Sequence, residues 1–261
     1  MRVACIQLKT GEDYNHNVSK LISFIHIAIR KKSDLILTPE ASSLLSAYKK
    51  NISLYSYSMK DDPLVKEVKK ICKIYKKWVL IGSLFIKVKK KIKNRSIMIN
   101  PCGKIEGYYD KINMFDVKLS KKEIHNESSF FSAGKKLKFI DLPWGRLGLT
   151  ICYDLRFPEL YRKLSKKKLN FISVPAAFTK ITGKKHWIAL LRARAIENFC
   201  YIFAPAQTGR NNPKRETFGH SAIISPDGEI LNMKKKYEGI IYSDIDPQLS
   251  MKLRKRIPTI K

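Results

Sequence analysis

Leu147-Gly148-Leu149-Thr150-Ile151-Cys152-Tyr153-Asp154-Leu155-Arg156-Phe157-Pro158-Glu159 passes from an apolar run into a polar turn and then into Leu160-Tyr161-Arg162-Lys163-Leu164. The pattern predicts strand, tight turn and helix, with Cys152 at the bend. A nucleophile placed there stands clear of the sheet at the start of a helix, whose free N–H groups predict a lowered thiol pKa. A small buried hydrophobe at a strand end is the other reading of the same cysteine.

Working outward from that elbow, the N-terminal side opens with Val3 to Leu8 as a buried strand. Val18, Leu21, Ile22, Ile25, Ala28 and Ile29 follow at helical spacing, and Asp34 to Thr38 is a second strand closed by Pro39-Glu40. A strand–helix–strand opening predicts parallel strands with a right-handed crossover, and it puts Glu40 at a strand's carboxyl end, where α/β proteins hold ligands. Residues 41–60 read as a short helix and loop. Asp62-Pro63 starts a helix with a cap and an N1 proline, backed by the stripe Leu64, Val65, Val68, Ile71, Cys72 and Tyr75, and Trp78 to Ile86 is a strand. Ser96 to Asn100, the turn Pro101-Cys102-Gly103-Lys104 and Ile105 to Tyr109 form a hairpin with Lys111 at its exit. Residues 112–135 are loop-rich, and Lys136 to Leu142 is a strand that turns at Pro143-Trp144-Gly145 into the elbow strand.

Beyond the elbow, Asn170 to Val174 is an apolar strand ending in Pro175-Ala176-Ala177-Phe178. His186 to Phe199 is a helix, Cys200 to Pro205 a strand, and Gln207 to Phe218 a polar loop. Gly219 to Ser225 and Glu229 to Met233 make a second hairpin, and Gly239 to Ile245 a last strand. The hairpin turns Asn-Pro-Cys-Gly and Ser-Pro-Asp-Gly look alike, a hint of a two-fold internal arrangement. No linker interrupts residues 1–261, so the chain reads as a single α/β domain. Two sheets face to face with helices on the outer faces satisfy the mixture of parallel and antiparallel strands.

Composition narrows the partners. The formal charge is +30 and comes mostly from lysine, spread along the chain in runs such as Lys89-Lys90-Lys91, Lys166-Lys167-Lys168 and Lys234-Lys235-Lys236. Arginine, the better fork for phosphates and base edges, is the minority, and no nucleic-acid motif is present. With isoleucine also abundant, the charge reads as solvated surface from coding bias, not as a specific nucleic-acid site. The five cysteines are widely spaced with no C-x-x-C pair, which fits neither a disulfide framework nor a zinc site. The strand that begins at once after Met1 leaves no room for a signal peptide, and no apolar run approaches the roughly 18 residues of a membrane span. The expectation is a soluble, cytoplasmic protein.

Glu40, Lys111 and Cys152 thus all sit where strands end. A thiol needs a base, for which Glu40 is placed, and the oxyanion formed by attack on a carbonyl needs a cation and N–H donors, for which Lys111 and the N–H of Tyr153 are placed. Taken singly, Glu40 also reads as a cap for a helix at Ala41, and Lys111 as one solvated lysine among many.

The three segments resemble, in order, the motifs of the nitrilase (carbon–nitrogen hydrolase) superfamily: Leu37-Thr38-Pro39-Glu40, Tyr109-Asp110-Lys111-Ile112-Asn113-Met114-Phe115-Asp116, and Ile151 to Glu159 around Cys152. The resemblance implies a four-layer α-β-β-α sandwich and hydrolysis of a non-peptide C–N bond without metal or cofactor. It implies Glu40 as base, Lys111 as oxyanion stabiliser and proton donor, and Cys152 as nucleophile. Glu127-Ser128 is similar to the family's E-S motif, whose glutamate holds the lysine and helps position substrate. Asn113 departs from the family's usual histidine but can still hydrogen-bond. The stretches Ile181-Thr182-Gly183 with His186-Trp187, Leu191 to Glu197, and Ala206-Gln207-Thr208-Gly209-Arg210 with Arg215 and Phe218-Gly219-His220-Ser221 resemble the branch that holds deaminated glutathione amidase and ω-amidase.

That branch implies a small 2-oxo acid amide as substrate: deaminated glutathione, giving 2-oxoglutarate and Cys-Gly, or alternatively 2-oxoglutaramate or another small amide or carbamoyl compound. Its carboxylate calls for an arginine fork, for which Arg156 is the candidate, with a salt bridge to Glu159 or Asp154 as the structural alternative. Tyr153, Phe178, Thr179 and Thr182 are placed to line the same pocket. A homodimer or higher homo-oligomer is expected, although the chain stops soon after Ile257-Pro258, where relatives often carry a longer tail that contributes to subunit contacts. The reading from a different class is a catalytically idle basic module that binds nucleic acid or serves as a scaffold.

Overall fold

The computed structural model describes residues 1–119 and 124–258; residues 120–123 of the loop-rich stretch and the last three of the expected domain, 259–261, lie outside the described residues. In chain order the first half holds strand β1 (Arg2–Gln7), helix α1 (Tyr14–Arg30), β2 (Leu35–Leu37), α2 (Lys49–Leu54), α3 (Pro63–Tyr75), β3 (Trp78–Val88), β4 (Lys91–Ile99) and β5 (Ile105–Asp110). Two short strands, β6 (Asp116–Lys118) and β7 (Ile124–Asn126), pair with each other. The second half holds β8 (Phe139–Leu142), β9 (Gly145–Leu149), α4 (Pro158–Ser165), β10 (Phe171–Ser173), α5 (Lys180–Asn198) and β11 (Tyr201–Ala204). It ends with β12 (Thr208–Asn212), β13 (Arg215–Phe218), β14 (Ser221–Ile224), β15 (Ile230–Lys234), β16 (Gly239–Asp244) and α6 (Leu249–Arg256).

Two six-stranded sheets result, ordered β16-β1-β2-β3-β4-β5 and β15-β14-β11-β10-β9-β8. Alternation along the strands shows how they stack. In the first sheet Val3, Cys5, Leu35, Leu37, Leu80 and Met98 join residues of the second sheet, such as Leu147, Leu149 and Phe203, in one interior cluster. Their neighbours Ala4, Ile6, Ile36, Val79, Ile81, Ile97 and Ile99 face the other way and pack with Leu21, Ile25 and Ala28 of α1 and Leu64, Val68 and Ile71 of α3. A period of two with both faces apolar is the mark of a sheet covered on both sides. Trp187, Leu191 and Ala195 of α5 and Leu160 and Leu164 of α4 cover the second sheet. The architecture is the expected α-β-β-α sandwich. As expected, α3 begins with Asp62 accepting from the Val65 N–H at 3.0 Å and Pro63 in its first turn.

The two sheets are built alike. Each has three parallel strands, β1-β2-β3 and β9-β10-β11, then two antiparallel ones, β4-β5 and β14-β15, and one antiparallel strand on the far side, β16 or β8. The look-alike turns at 100–104 and 225–229 occupy the same place in each.

Several segments differ from the sequence expectation. β3 continues to Val88 and pairs with a β4 that starts at Lys91, so Lys89-Lys90 is a hairpin turn, with Lys89 at φ 55°. The alternation Ile86-Lys87-Val88 and Lys91-Ile92-Lys93 carries both strands to that turn, with Ile86 and Val88 packed in the layer of α1 and α3, but the surrounding run of lysines reads as a solvated loop. Helix α5 starts at Lys180 rather than His186. Gly183 argues against a helix interior, yet a Cβ there would lie 2.4 to 2.8 Å from three carbons of Phe218, so the glycine permits the helix to press on β13. The Gln207–Phe218 loop is in fact the β12–β13 hairpin, pairing Thr208 with Phe218. Helix α6, unanticipated, docks Arg254 on the carbonyls of Asn198 and Phe199, at the carboxyl end of α5. Among the described residues no helix is long and apolar enough to cross a membrane.

Candidate active site

Glu40 leaves β2 through Thr38-Pro39, and Ala41 takes φ 55°, so the chain turns at once and no helix begins there for Glu40 to cap. The turn is tied down by Thr38 Oγ1 with Ser42 Oγ at 2.6 Å, by Ala41 N–H donating to Ser83 Oγ at 2.9 Å, and by Gln207 Nε2 donating to the Glu40 carbonyl at 2.9 Å. Lys111 follows β5 and is only 2% exposed, so it is no solvated lysine. Its Nζ donates to Glu40 Oε1 at 3.0 Å and to Glu127 Oε2 and Oε1 at 2.7 and 3.0 Å.

Cys152 stands at φ 47°, a left-handed bend that a non-glycine residue adopts only when its surroundings impose it. Its N–H is committed to the Pro175 carbonyl at 3.0 Å. The bend is held by buried Asp154, whose Oδ2 accepts from the Ile151 N–H at 2.9 Å and the Tyr109 hydroxyl at 2.8 Å. Its Oδ1 accepts from the N–H and Nδ2 of Asn113 at 3.0 and 2.8 Å, so Asn113 does the hydrogen-bonding work expected of it. The next backbone donor, the N–H of Tyr153, has no acceptor among the described residues, which is what an oxyanion hole requires.

The electrostatics reverse one expectation. Burial pushes the Cys152 thiol well above its usual range; the Glu40 carboxylate pushes it further, and Lys111 and Arg215 pull it back only in part. The five-residue turn from Cys152 to Arg156 is 3-10 rather than α-helical, and its few N–H groups do not offset that burial. Burial would also raise Glu40, but the charge of Lys111, a hydrogen bond from the Cys152 thiol, a second from Lys111 and the charge of Arg215 together hold it below the ordinary carboxylate range. Burial would lower Lys111, and the carboxylates of Glu127 and Glu40 override it, keeping the ammonium charged. The resting site is therefore a neutral thiol donating to an ionised glutamate, ready for proton transfer once an acyl carbon is in place.

These groups open into a cavity of about 930 Å³. Glu40, Lys111, Glu127, Cys152, Tyr153, Phe178, Thr179 and Thr182, all anticipated, line it, with Phe85, Phe115, Phe130 and Phe131 as an aromatic wall. Arg156 is not brought in. It lies beside His186 Nδ1 at 3.2 Å and over the Phe178 ring at 5.0 Å, with no salt bridge to Glu159 or Asp154. The arginines on the wall are Arg210 and Arg215 of the β12–β13 hairpin. Arg215 donates to the Ala177 carbonyl and lies over the Phe115 ring at 5.4 Å.

Sequence reasoning missed two further partners of Glu40. The Ala177 N–H donates to Oε2 at 2.8 Å, and Asn94 Nδ2 donates to Oε1 at 3.0 Å. Asn94 left one signal, a neutral polar residue inside Ile92-Lys93-Asn94-Arg95-Ser96-Ile97, but apolar periodicity passes over it. Among the described residues no cluster of His, Cys, Asp and Glu is placed to hold a metal ion.

Residues 2–255 match the model of the carbon-nitrogen hydrolase family. The deaminated glutathione amidase of Yersinia enterocolitica is 36% identical, over 99% of this chain and 91% of its own length. The human omega-amidase NIT2 is 32% identical, over 100% and 94% respectively. Among solved structures, Saccharomyces cerevisiae Nit3, a member of branch 10 of the nitrilase superfamily, superposes with a TM-score of 0.89 at 28% identity, covering 100% of this chain and 95% of that one.

Proposed function

The chain belongs to the carbon–nitrogen hydrolase family and hydrolyses a non-peptide C–N bond in a small amide, and on that premise we propose that its substrate is deaminated glutathione, cleaved to 2-oxoglutarate and Cys-Gly. The observation that carries this reading is the cavity. Its volume of about 930 Å³ leaves room for a dipeptide-sized amine beyond the scissile bond, and its rim carries Arg210, Lys214 and Arg215 toward an anionic substrate. The names of the relatives support it. The alternative, ω-amidase action on 2-oxoglutaramate, draws on the similarity to the human protein but would leave much of that space unfilled.

In the proposed mechanism the Cys152 proton passes to Glu40 and the sulfur attacks the amide carbon. The oxyanion meets the Tyr153 N–H and the Lys111 ammonium. All three acceptors of Lys111 are carboxylate oxygens at rest, so the oxyanion takes over the longer of its two contacts to Glu127. Glu40, rather than Lys111, whose ammonium the two carboxylates hold charged, gives its proton to the leaving amine, and a thioester remains. Glu40 then takes a proton from water as that water attacks the thioester carbon, the adduct collapses by breaking its C–S bond, and Glu40 returns the proton to the sulfur. Glu127 anchors Lys111, and Tyr153, Phe178 and Thr179 form the pocket wall. Arg156, stacked on Phe178, contributes by bracing that ring, and the substrate carboxylate falls to Arg210 and Lys214.

Release of 2-oxoglutarate from deaminated glutathione and, separately, from 2-oxoglutaramate tests this. A higher kcat/KM for the first is expected, and preference for the second would transfer the assignment. Cys152→Ala should abolish turnover while the protein stays folded, and retained activity would remove the nucleophile. We also propose self-association through the exposed Ile196 of α5 and Ile257 just beyond α6, which line one apolar cleft. Sedimentation of a monomer at micromolar concentration would refute it.

A further inference from the structure

Asn94 faces the site from β4 and is 2% exposed. Its Nδ2 donates to Glu40 Oε1 and to Glu127 Oε1, each at 3.0 Å. The same two oxygens each accept from Lys111 Nζ, also at 3.0 Å. The two carboxylates are thus joined twice, once through an ammonium and once through an amide. The Asn94 backbone carbonyl in turn accepts the Lys111 backbone N–H at 3.0 Å, and the adjacent Arg95 grips Asp110 through two bonds of 2.6 and 3.0 Å. Two consecutive residues of β4 therefore fix Asp110-Lys111, and the first reaches on to both carboxylates.

From this juxtaposition we propose that Asn94 is a positioning residue that sets the Glu40 base: its two amide hydrogens, one per carboxylate, keep Glu40 and Glu127 on either side of Lys111 and so hold Glu40 toward the Cys152 thiol. The requirement is chemical. Only an uncharged group with two donors on one atom can bridge two carboxylates without unbalancing the charge; serine has one donor, lysine adds a charge, and ionised aspartate has none. The charged and titratable groups around Glu40 are Lys111 from the end of β5, Glu127, Cys152 at the elbow, and Arg215 from β13 with His125 against it. Two carboxylates beside one ammonium and a more distant guanidinium leave no cation to spare for a third anion. The inference rests on the reading of Glu40 as base and Cys152 as nucleophile.

Asn94→Ala and the isosteric Asn94→Asp are compared with wild type, with activity counted per active site titrated by alkylation of Cys152. In Asn94→Ala, kcat should fall about 10- to 100-fold, the worth of hydrogen bonds to charged groups, with KM within about threefold. The acid limb of kcat/KM should move to higher pH, because the ionised form of Glu40 has lost a donor. Asn94→Asp should be worse than Asn94→Ala at pH 7 although it fills the same space, and should recover toward pH 5 as the new carboxylate takes up a proton. A group that merely filled space would rank the two the other way. One readout needs no substrate: in urea, Asn94→Asp should unfold before Asn94→Ala at pH 7, with the gap closing at pH 5. An unmoved acid limb with kcat within threefold of wild type, or an aspartate better than alanine at pH 7 in either assay, would overturn the proposal. If Cys152→Ala keeps its turnover, the base-and-nucleophile reading fails instead.

Discussion

Replacing Lys111 by methionine tests both the architecture and the chemistry of the site. Methionine fills nearly the same volume but removes the one cation that contacts Glu40 and Glu127 together, at 3.0 and 2.7 Å. Breaking a buried ion pair from one side costs about 3–5 kcal/mol, because the remaining charge stays buried without a partner. Asn94 and Ala177 still donate to Glu40, so the lower figure, about 3 kcal/mol at pH 7, is expected. At about 2–4 °C per kcal/mol for a chain of this size, that lowers Tm by roughly 6–12 °C. The pH dependence carries the sharper test. In the wild type Glu40 lies below its ordinary range, so its stabilisation is present above the unfolded carboxylate pKa and is lost as pH falls through the lowered value. Without Lys111 burial dominates and the sign reverses: Glu40 titrates above its unfolded value, and the variant loses stability as pH rises through that raised value. The gap between variant and wild type should therefore shrink steadily from pH 7 to pH 4.5 in urea unfolding. Turnover should fall at least about 100-fold, as with loss of an oxyanion donor. A gap below 1 kcal/mol at pH 7, or one that does not change with pH, would show that Lys111 does not neutralise this carboxylate pair.

Two further substitutions probe the frame. At Gly82 on β3 an added Cβ would lie 1.9 Å from the Thr38 carbonyl oxygen and 2.6 Å from Pro39 O and Pro175 Cβ, so Gly82→Ala forces apart the segments that carry Glu40 and Ala177. It should cost at least about 3 kcal/mol by urea unfolding and most of the activity; near-normal turnover would mean that the Pro39-Glu40 turn is not fixed from behind. Tyr109→Phe removes the 2.8 Å donor to buried Asp154 and should cost about 2 kcal/mol, with kcat reduced through a looser elbow. Unchanged stability would deny Asp154 its role in holding the bend.

Glu40 and Cys152 were legible because each ends an apolar run, and such runs are what hydrophobic periodicity detects; Lys111 was marked by the exit of a hairpin and by the motif that its segment resembles. The paired sheets were legible for the same reason: Leu35 and Leu37 face one layer while Ile36 faces the other. What escaped was the set of strand residues that serve the site rather than the core. Asn94 lies in a strand whose inward position is polar because it meets two carboxylates, so the strand was truncated to Ser96. The β12–β13 hairpin covers the cavity with polar side chains such as Arg210, Asn212 and Arg215 and is tied by polar bonds such as Thr217 Oγ1 to Asn211 Oδ1 at 2.8 Å, so it read as a loop. Arg156 was favoured for its proximity to Cys152 in sequence, whereas Arg215, far along the chain, reaches the wall because β13 folds back against the amino end of α5, where Thr179 bridges to Thr217.

The doubled topology explains why the site forms where it does. β2 and β10 are the middle parallel strands of the two sheets, and their carboxyl ends meet: the residue after Thr38-Pro39 is Glu40, and the stretch after Val174-Pro175 brings up Ala177. The bond between Glu40 Oε2 and the Ala177 N–H, at 2.8 Å, joins the carboxyl ends of these matching strands. One half thus supplies a charged side chain and the other a backbone donor at equivalent places. The second half adds Cys152 after β9, and the first adds Lys111 after β5. The matching ends of β2 and β10 bring Glu40 and Ala177 together, while Cys152 and Lys111 arrive from strands that are not counterparts of each other, so the chemistry arises because the two halves place different residues on one doubled frame.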